Sequence, residues 1–334
     1  MFDSIFFSKS KAQPYYQDEH FNIWKFSADA EAGKKQKRPI ILNYSIMTRA
    51  YGTFFNDDSF IEFFNKHGSD VYLMDWGKEA LFTLSGWTLD RLADALRDKA
   101  VNPLLKEYGV DSLNIFGICI GGLITSHLIN RDLKQDKDFA KKFHKICYYG
   151  SPILGSRDLG MGRTFLNFYH TMKPFRPTLE NAGISLFNLD MLITQSTSNS
   201  MMQWFWQRFW EAGPKTFAET LTLTYDDRWV PFAAFMDILE EGFASTEEKK
   251  ESFHFNGDVS NIHFFNLVGE HDFLVMPSAS IVEWNSSIPK QFASFEQLIF
   301  PGGHFVFARP GFKEEKEKLA VWFAEDRVES RKAA

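Results

Sequence analysis

Short apolar runs of strand length recur along the chain at Pro39–Met47, Asp70–Met74, Leu113–Ile118, Ile146–Gly150, Ile262–Gly269 and Gln297–Phe300. Between several of them the apolar residues take helical spacing, at Ser59–Lys66, Leu89–Tyr108, Ile120–Leu133 and Gly311–Phe323, the last two expected to present amphipathic faces. This alternation predicts an α/β fold: a mostly parallel central sheet covered by helices on both faces. The rhythm breaks between Ser156 and about Gly257, where Phe, Trp and Met crowd together, as in Met201–Trp206 followed by Phe209-Trp210. Apolar residues this dense cannot all share one helix face. A helical cap or lid insertion is therefore expected over the C-terminal edge of the sheet, where open α/β sheets bind ligands. The chain divides accordingly into residues 1–155, the first part of the core, 156–257, the insertion, and 258–334, the rest of the core.

Composition narrows the functional classes. At 334 residues and 44% hydrophobic, the chain can bury a large core. The net charge of -6 and the lack of a basic cluster beyond Lys34, Lys35, Lys37 and Arg38 argue against nucleic acid as a partner. Cys119 and Cys147 are too few for a disulfide scaffold and sit in strand-like settings, which fits a reducing, cytoplasmic compartment. No signal-peptide pattern and no apolar run long enough for a membrane span is found in the sequence. The 36 Phe and 9 Trp fit either an aromatic-rich core or a hydrophobic substrate or surface.

One segment carries chemistry. In Phe116-Gly117-Ile118-Cys119-Ile120-Gly121-Gly122 an apolar strand delivers a cysteine into a glycine-flanked turn that opens a helix. This is the pattern of a nucleophile elbow, whose sharp reversal demands small residues two positions either side of the nucleophile. A thiol there lies at a helix N-terminus, where unpaired N–H groups favour thiolate and oxyanion. The same residues also fit a buried structural cysteine.

A base and an acid are needed beside it, and α/β-hydrolases supply them in the order nucleophile, acid, histidine. Asp272 follows the strand Ile262–Gly269, and His304 follows the next strand in Phe300-Pro301-Gly302-Gly303-His304. Taken singly, Asp272 could be a turn residue and His304 a surface loop residue. Three residues at three strand ends form a consistent set. His271 is the second choice for the base. The oxyanion donors are expected to be the backbone N–H groups of Ile120 and Met47. No metal-ligand spacing is present, and no metal or cofactor is expected.

These residues resemble the polyhydroxyalkanoate synthases, whose lipase-like box carries cysteine in the setting of Gly117–Gly122. Tyr44–Tyr51 is similar to that family's segment after its early strand, and Val71–Gly77 to its strand ending in Asp-Trp. Asp272–Pro277 with Ser280, and Gly302–His304, resemble its acid region and histidine loop. Thr48, Thr53-Phe54-Phe55 and Phe273 depart from the family pattern. The short chain is most similar to the class III catalytic subunit, which works with a second synthase subunit as an oligomer.

The resemblance implies an α/β-hydrolase fold and a (R)-3-hydroxyacyl-CoA substrate, 3-hydroxybutyryl-CoA above all. Cys119 would form a thioester intermediate, release CoA and pass the acyl group to a growing polyester. CoA is thus part of the substrate, and the protein would work in the cytoplasm or at the surface of polymer granules. The CoA phosphates are unassigned, with Arg49, Arg163, Lys173 and Arg176 as possible contacts. Met201–Trp210 is expected to form part of the lid or polymer path, or to pack the cap core. Two alternatives remain: a cysteine-dependent thioesterase or intracellular depolymerase of the same fold, and a non-catalytic protein that binds polymer granules.

Overall fold

A computed structural model describes residues 11–29, 36–46, 59–76, 86–155, 161–185, 229–244, 255, 257–272, 274–304 and 312–325. Eight strands form one sheet: β1 Ala12–Gln17, β2 Asn22–Phe26, β3 Ile40–Asn43, β4 Val71–Asp75, β5 Leu113–Ile118, β6 Phe143–Tyr149, β9 His263–Gly269 and β10 Ser294–Phe300. Their order across the sheet is β1-β2-β4-β3-β5-β6-β9-β10. The six strands from β4 to β10 run parallel, and β1 and β2 add an antiparallel hairpin at one edge. A separate ribbon pairs β7, Gly183–Ser185, with β8, Trp229–Pro231.

Every residue of β5 is buried. This is the expected signature of a parallel strand covered on both faces. Alternate side chains feed two cores: Ile115 and Tyr148 pack on one face of the sheet, Phe116 and Tyr149 on the other. The helices that supply those cores are α1 Phe60–Lys66, α2 Leu89–Leu96, α3 Asn102–Tyr108, α4 Ile120–Leu133, α5 Met161–Met172, α6 Phe232–Leu239 and α7 Lys313–Ala324. Ser59 caps α1 by accepting the Glu62 N–H, and Thr88 caps α2 by accepting the Arg91 N–H.

The helix expected over Leu89–Tyr108 contains a π-helical stretch at Arg97–Val101. That extra residue per turn shifts the helix face, which a 3.6-residue period does not reveal. The amphipathic face expected of Ile120–Leu133 is a correction. Buried residues run around the whole of α4, because it lies between the sheet and further helices: Leu123 reaches Gly242, and His127 reaches Asp90 and Glu241. The hairpin β1–β2 falls before the first strand that the apolar runs mark.

Within 161–185 and 229–244 the described residues form helices and the β7–β8 ribbon. Helix α6 is joined to α2 by the Leu89 N–H, which donates to Asp237 Oδ2 at 3.0 Å. Met201–Trp210 lies outside the described residues, as do Met47 and Arg49. No helix among the described residues is long and apolar enough to cross a membrane.

Candidate active site

Cys119 stands between β5 and α4 with φ 54° and ψ −122°. A side-chain-bearing residue at positive φ costs about 1–3 kcal/mol and persists only where its surroundings impose it. Here the imposition comes from close backbone approach. A Cβ on Gly121 would lie 1.9 Å from the Asn43 carbonyl oxygen, and one on Gly117 would lie 2.7 Å from Gly122 Cα. The two glycines that mark the elbow in sequence are therefore steric necessities of the turn.

Asn43, at the end of β3, holds the first turn of α4. Its Nδ2 donates to the Gly121 carbonyl at 2.8 Å and to Thr125 Oγ1 at 3.0 Å, while its Oδ1 accepts the Trp76 indole N–H at 3.1 Å. The Asp-Trp ending of β4 thus has a physical role as an anchor for the elbow. Asn43 was not singled out in the sequence. Its signal there is one amide in the apolar run Pro39–Met47, since a fully buried amide needs partners.

Ile120 opens α4, so its N–H is among those that have no carbonyl one turn earlier. That matches the expected oxyanion donor by position. The second expected donor, Met47, lies outside the described residues.

Asp272 and His304 come together. His304 Nδ1 donates to Asp272 Oδ2 at 2.7 Å, with both side chains almost wholly buried. Asp272 Oδ1 accepts the backbone N–H groups of Leu274 at 3.0 Å and Val275 at 2.9 Å. Both carboxylate oxygens are therefore engaged. Burial alone would push the His304 imidazole below its ordinary value. The charge and hydrogen bonds of Asp272 and of Cys119 outweigh it and hold the imidazole well above that value. With Nδ1 committed to Asp272, Nε2 is the nitrogen left to the Cys119 thiol. The three residues picked from the sequence thus meet at the C-terminal edge of the sheet. They follow β5, β9 and β10, with β6 lying between β5 and β9.

Other candidates sit elsewhere. His271 is exposed, and its backbone N–H donates to the Gly302 carbonyl at 2.9 Å, bracing the loop before His304. His127 binds Glu241 and Asp90, and His263 binds Ser294 Oγ at 2.8 Å. Arg176 pairs with Asp237 and Glu240, and Lys173 with Glu240, while Arg163 is exposed. Cys147 is buried and free, and burial pushes its thiol well up. No group of three or more metal-binding side chains occurs among the described residues.

No protein-family model matches the chain. Its sequence is similar to three proteins named poly(3-hydroxyalkanoate) polymerase subunit PhaC. That of Allochromatium vinosum is 33% identical over 38% of this chain and 36% of its own length. That of Thiocystis violacea is 33% identical over 40% and 37%, respectively. That of Haloarcula marismortui is 21% identical over 84% of this chain and 60% of its own length. The chain therefore spans about one third to three fifths of these relatives. Among solved structures, a soluble variant of monoglyceride lipase from Saccharomyces cerevisiae aligns with a TM-score of 0.60 at 12% identity, covering 93% of this chain and 94% of that one. Monoacylglycerol lipase from Paleococcus ferrophilus aligns with a TM-score of 0.55 at 15% identity, covering 91% and 98%. The chain has the α/β-hydrolase fold, and its sequence relatives are poly(3-hydroxyalkanoate) polymerase subunits.

Proposed function

We propose that this protein is a cysteine-dependent acyltransferase that polymerises (R)-3-hydroxyacyl-CoA into polyhydroxyalkanoate. The observation that carries this reading is Cys119 in a strained elbow, beside a buried His304 that Asp272 holds by Nδ1. The similarity to the PhaC subunits supplies the substrate class.

In this reading His304 Nε2 takes the Cys119 thiol proton as the reaction begins, leaving a thiolate beside an imidazolium. Cys119 Sγ attacks the thioester carbonyl, and the oxyanion is held by the Ile120 N–H and a second backbone donor. The bond to CoA breaks, and the departing thiolate takes the proton from His304. The acyl group keeps thioester activation, which an ester of serine would forfeit. A hydroxyl of the growing chain then attacks the acyl carbonyl while His304 Nε2 takes its proton. The bond to Cys119 breaks, and the imidazolium can return its proton to the departing thiolate. Because both Asp272 oxygens are engaged, the role assigned to Asp272 is to orient and charge His304 in both steps.

Water competes for the acyl-enzyme, so a synthase must exclude it. Met201–Trp210, outside the described residues, is proposed to serve that task. A second subunit and an oligomer are part of the same proposal.

The test is incubation of the full chain with (R)-3-hydroxybutyryl-CoA, alone and with a candidate second subunit, beside Cys119→Ala, following CoA release and the acyl product. Polymer that disappears in the variant supports the reading. Free hydroxy acid would make the protein a thioesterase, and Cys119-independent behaviour in both conditions would leave a binding role.

A further inference from the structure

Strand β6 separates the strand that carries Cys119 from the strand that carries Asp272, and its last residue touches both halves of the site. The Tyr149 carbonyl accepts the Cys119 N–H at 2.9 Å. The Tyr149 hydroxyl donates to the Gly303 carbonyl at 2.5 Å, next to His304 in the chain. The Tyr149 ring lies nearly parallel to the imidazole, tilted 23° with centroids 6.4 Å apart. No part of Tyr149 reaches solvent.

The next two residues continue the contact. Gly150 takes φ +54°, and a Cβ there would lie 3.0 Å from His304 Nδ1 and 3.1 Å from Asp272 Oδ2. The Asp–His pair therefore occupies the space a side chain would need. Ser151 Oγ donates to the Cys119 carbonyl at 2.8 Å, and Ser280 Oγ donates to the Ser151 carbonyl at 3.0 Å.

We propose that Tyr149 is a positioning residue that sets the distance between the Cys119 thiol and the His304 imidazole. The loop that carries His304 begins with Gly302 and Gly303, whose backbones have the widest conformational freedom. A buried hydroxyl on the Gly303 carbonyl fixes that loop against the same residue whose backbone fixes the elbow. Nucleophile and base are thus registered through one residue, its backbone at the elbow and its side chain at the histidine loop. Proton transfer is sensitive to such registration, since a misplacement of about 1 Å costs on the order of 100-fold.

This inference rests on Cys119 and His304 acting as nucleophile and base. The experiment keeps the two apart by measuring alkylation of Cys119 with iodoacetamide from pH 5 to 9 on the full chain, resolved by mass from the buried Cys147. Wild type is expected to react faster near neutral pH than His304→Ala, which has no imidazole to take the thiol proton and reacts appreciably only as pH rises. Tyr149→Phe keeps the ring and loses one oxygen. It is expected to react about 10-fold more slowly near pH 6.5, with its profile displaced toward that of His304→Ala. A Tyr149→Phe profile equal to wild type, with His304→Ala displaced, overturns the proposal. Equal profiles for all three overturn the nucleophile–base reading and the proposal with it. Should Tyr149→Phe not fold, 3,5-difluorotyrosine at position 149 keeps ring and hydroxyl while strengthening the donor. The low-field proton resonance of His304 Nδ1 must then move, and a stationary resonance overturns the proposal.

Discussion

Asn43 donates from Nδ2 to the carbonyl of Gly121 at 2.8 Å, linking the end of β3 to the first turn of the helix that follows Cys119. The same amide accepts the Trp76 indole N–H, so the ends of β3 and β4 and the first turn of α4 are tied at one buried group. Asn43→Leu keeps the branched outline of the side chain and leaves the indole N–H without its acceptor. The expected cost is about 1–3 kcal/mol in urea unfolding, the usual penalty for stranding a buried polar group. Elbow geometry should suffer as well, so CoA release should fall by more than the loss of folded protein explains. An unchanged urea midpoint would show that Asn43 is not the anchor.

Asp272→Asn removes the charge that raises the His304 imidazole while keeping a side chain of the same shape. The imidazole then loses basicity and takes the thiol proton less readily. Alkylation of Cys119 at pH 7 is expected to fall roughly 10- to 100-fold, in the range of general-base effects, and to recover as pH rises. If Asp272 instead acted only on the incoming hydroxyl, alkylation would stay at the wild-type rate while polymer elongation stopped.

The site was legible where local chemistry demanded particular residues. Ile120–Leu133 starts where expected because Cys119 makes the turn between the end of β5 and the first residue of α4. Asp272 and His304 were legible as polar residues that immediately follow apolar strands. Other features have no local signature. Strand β6 begins at Phe143, three residues before the apolar run, because His144 and the fully buried Lys145 disguise it. Strand β10 begins at Ser294 rather than Gln297, because its first residues mix Ser, Phe and Glu along a half-exposed sheet edge. The hairpin β1–β2 is likewise half-exposed in β1 and carries Pro14 and Lys25. Tyr149 is an ordinary core aromatic in sequence, and its contacts with Cys119 and Gly303 exist only once three strands are aligned.

Lys145 is fully buried at the opposite end of β6 from the site, with its ammonium donating to the carbonyls of Trp322 and Glu325 at the end of α7. The ammonium also lies 5.0 Å from the Trp322 ring centroid. A cation at a helix C-terminus complements both the free carbonyls and the helix dipole. Lys145→Met should destabilise the fold by about 1–3 kcal/mol, the price of leaving buried carbonyls unpaired. Limited proteolysis should release the C-terminal helix first. The rate of CoA release per folded molecule should stay within about twofold of wild type, because substitutions far from a site and without shared partners act independently. A selective loss of turnover without loss of stability would contradict this assignment.

His127 on α4 joins the segment around Glu241 to the core: Nδ1 meets Glu241 at 2.5 Å and Nε2 meets Asp90 at 2.8 Å. Burial pushes its imidazole down, but the two carboxylates outweigh burial and raise it above the ordinary value. A group whose value rises on folding stabilises the folded state fully below its unfolded value, near about 6.5, and loses that contribution as pH climbs through the raised folded value. Arg131, Asp94 and Asp132 share the same network, so the charge balance around the imidazole is set from several helices. His127→Gln keeps hydrogen-bonding capacity without the titratable charge. Its stability deficit is expected to be about 1–2 kcal/mol at pH 6, the scale of a hydrogen bond to a charged group, and to shrink as pH climbs through the raised folded value. Paired urea titrations of wild type and variant across that range measure it directly. A deficit that stays constant with pH would mean that His127 contributes by packing alone, and a deficit that grows with pH would reverse the sign of its coupling to Glu241 and Asp90.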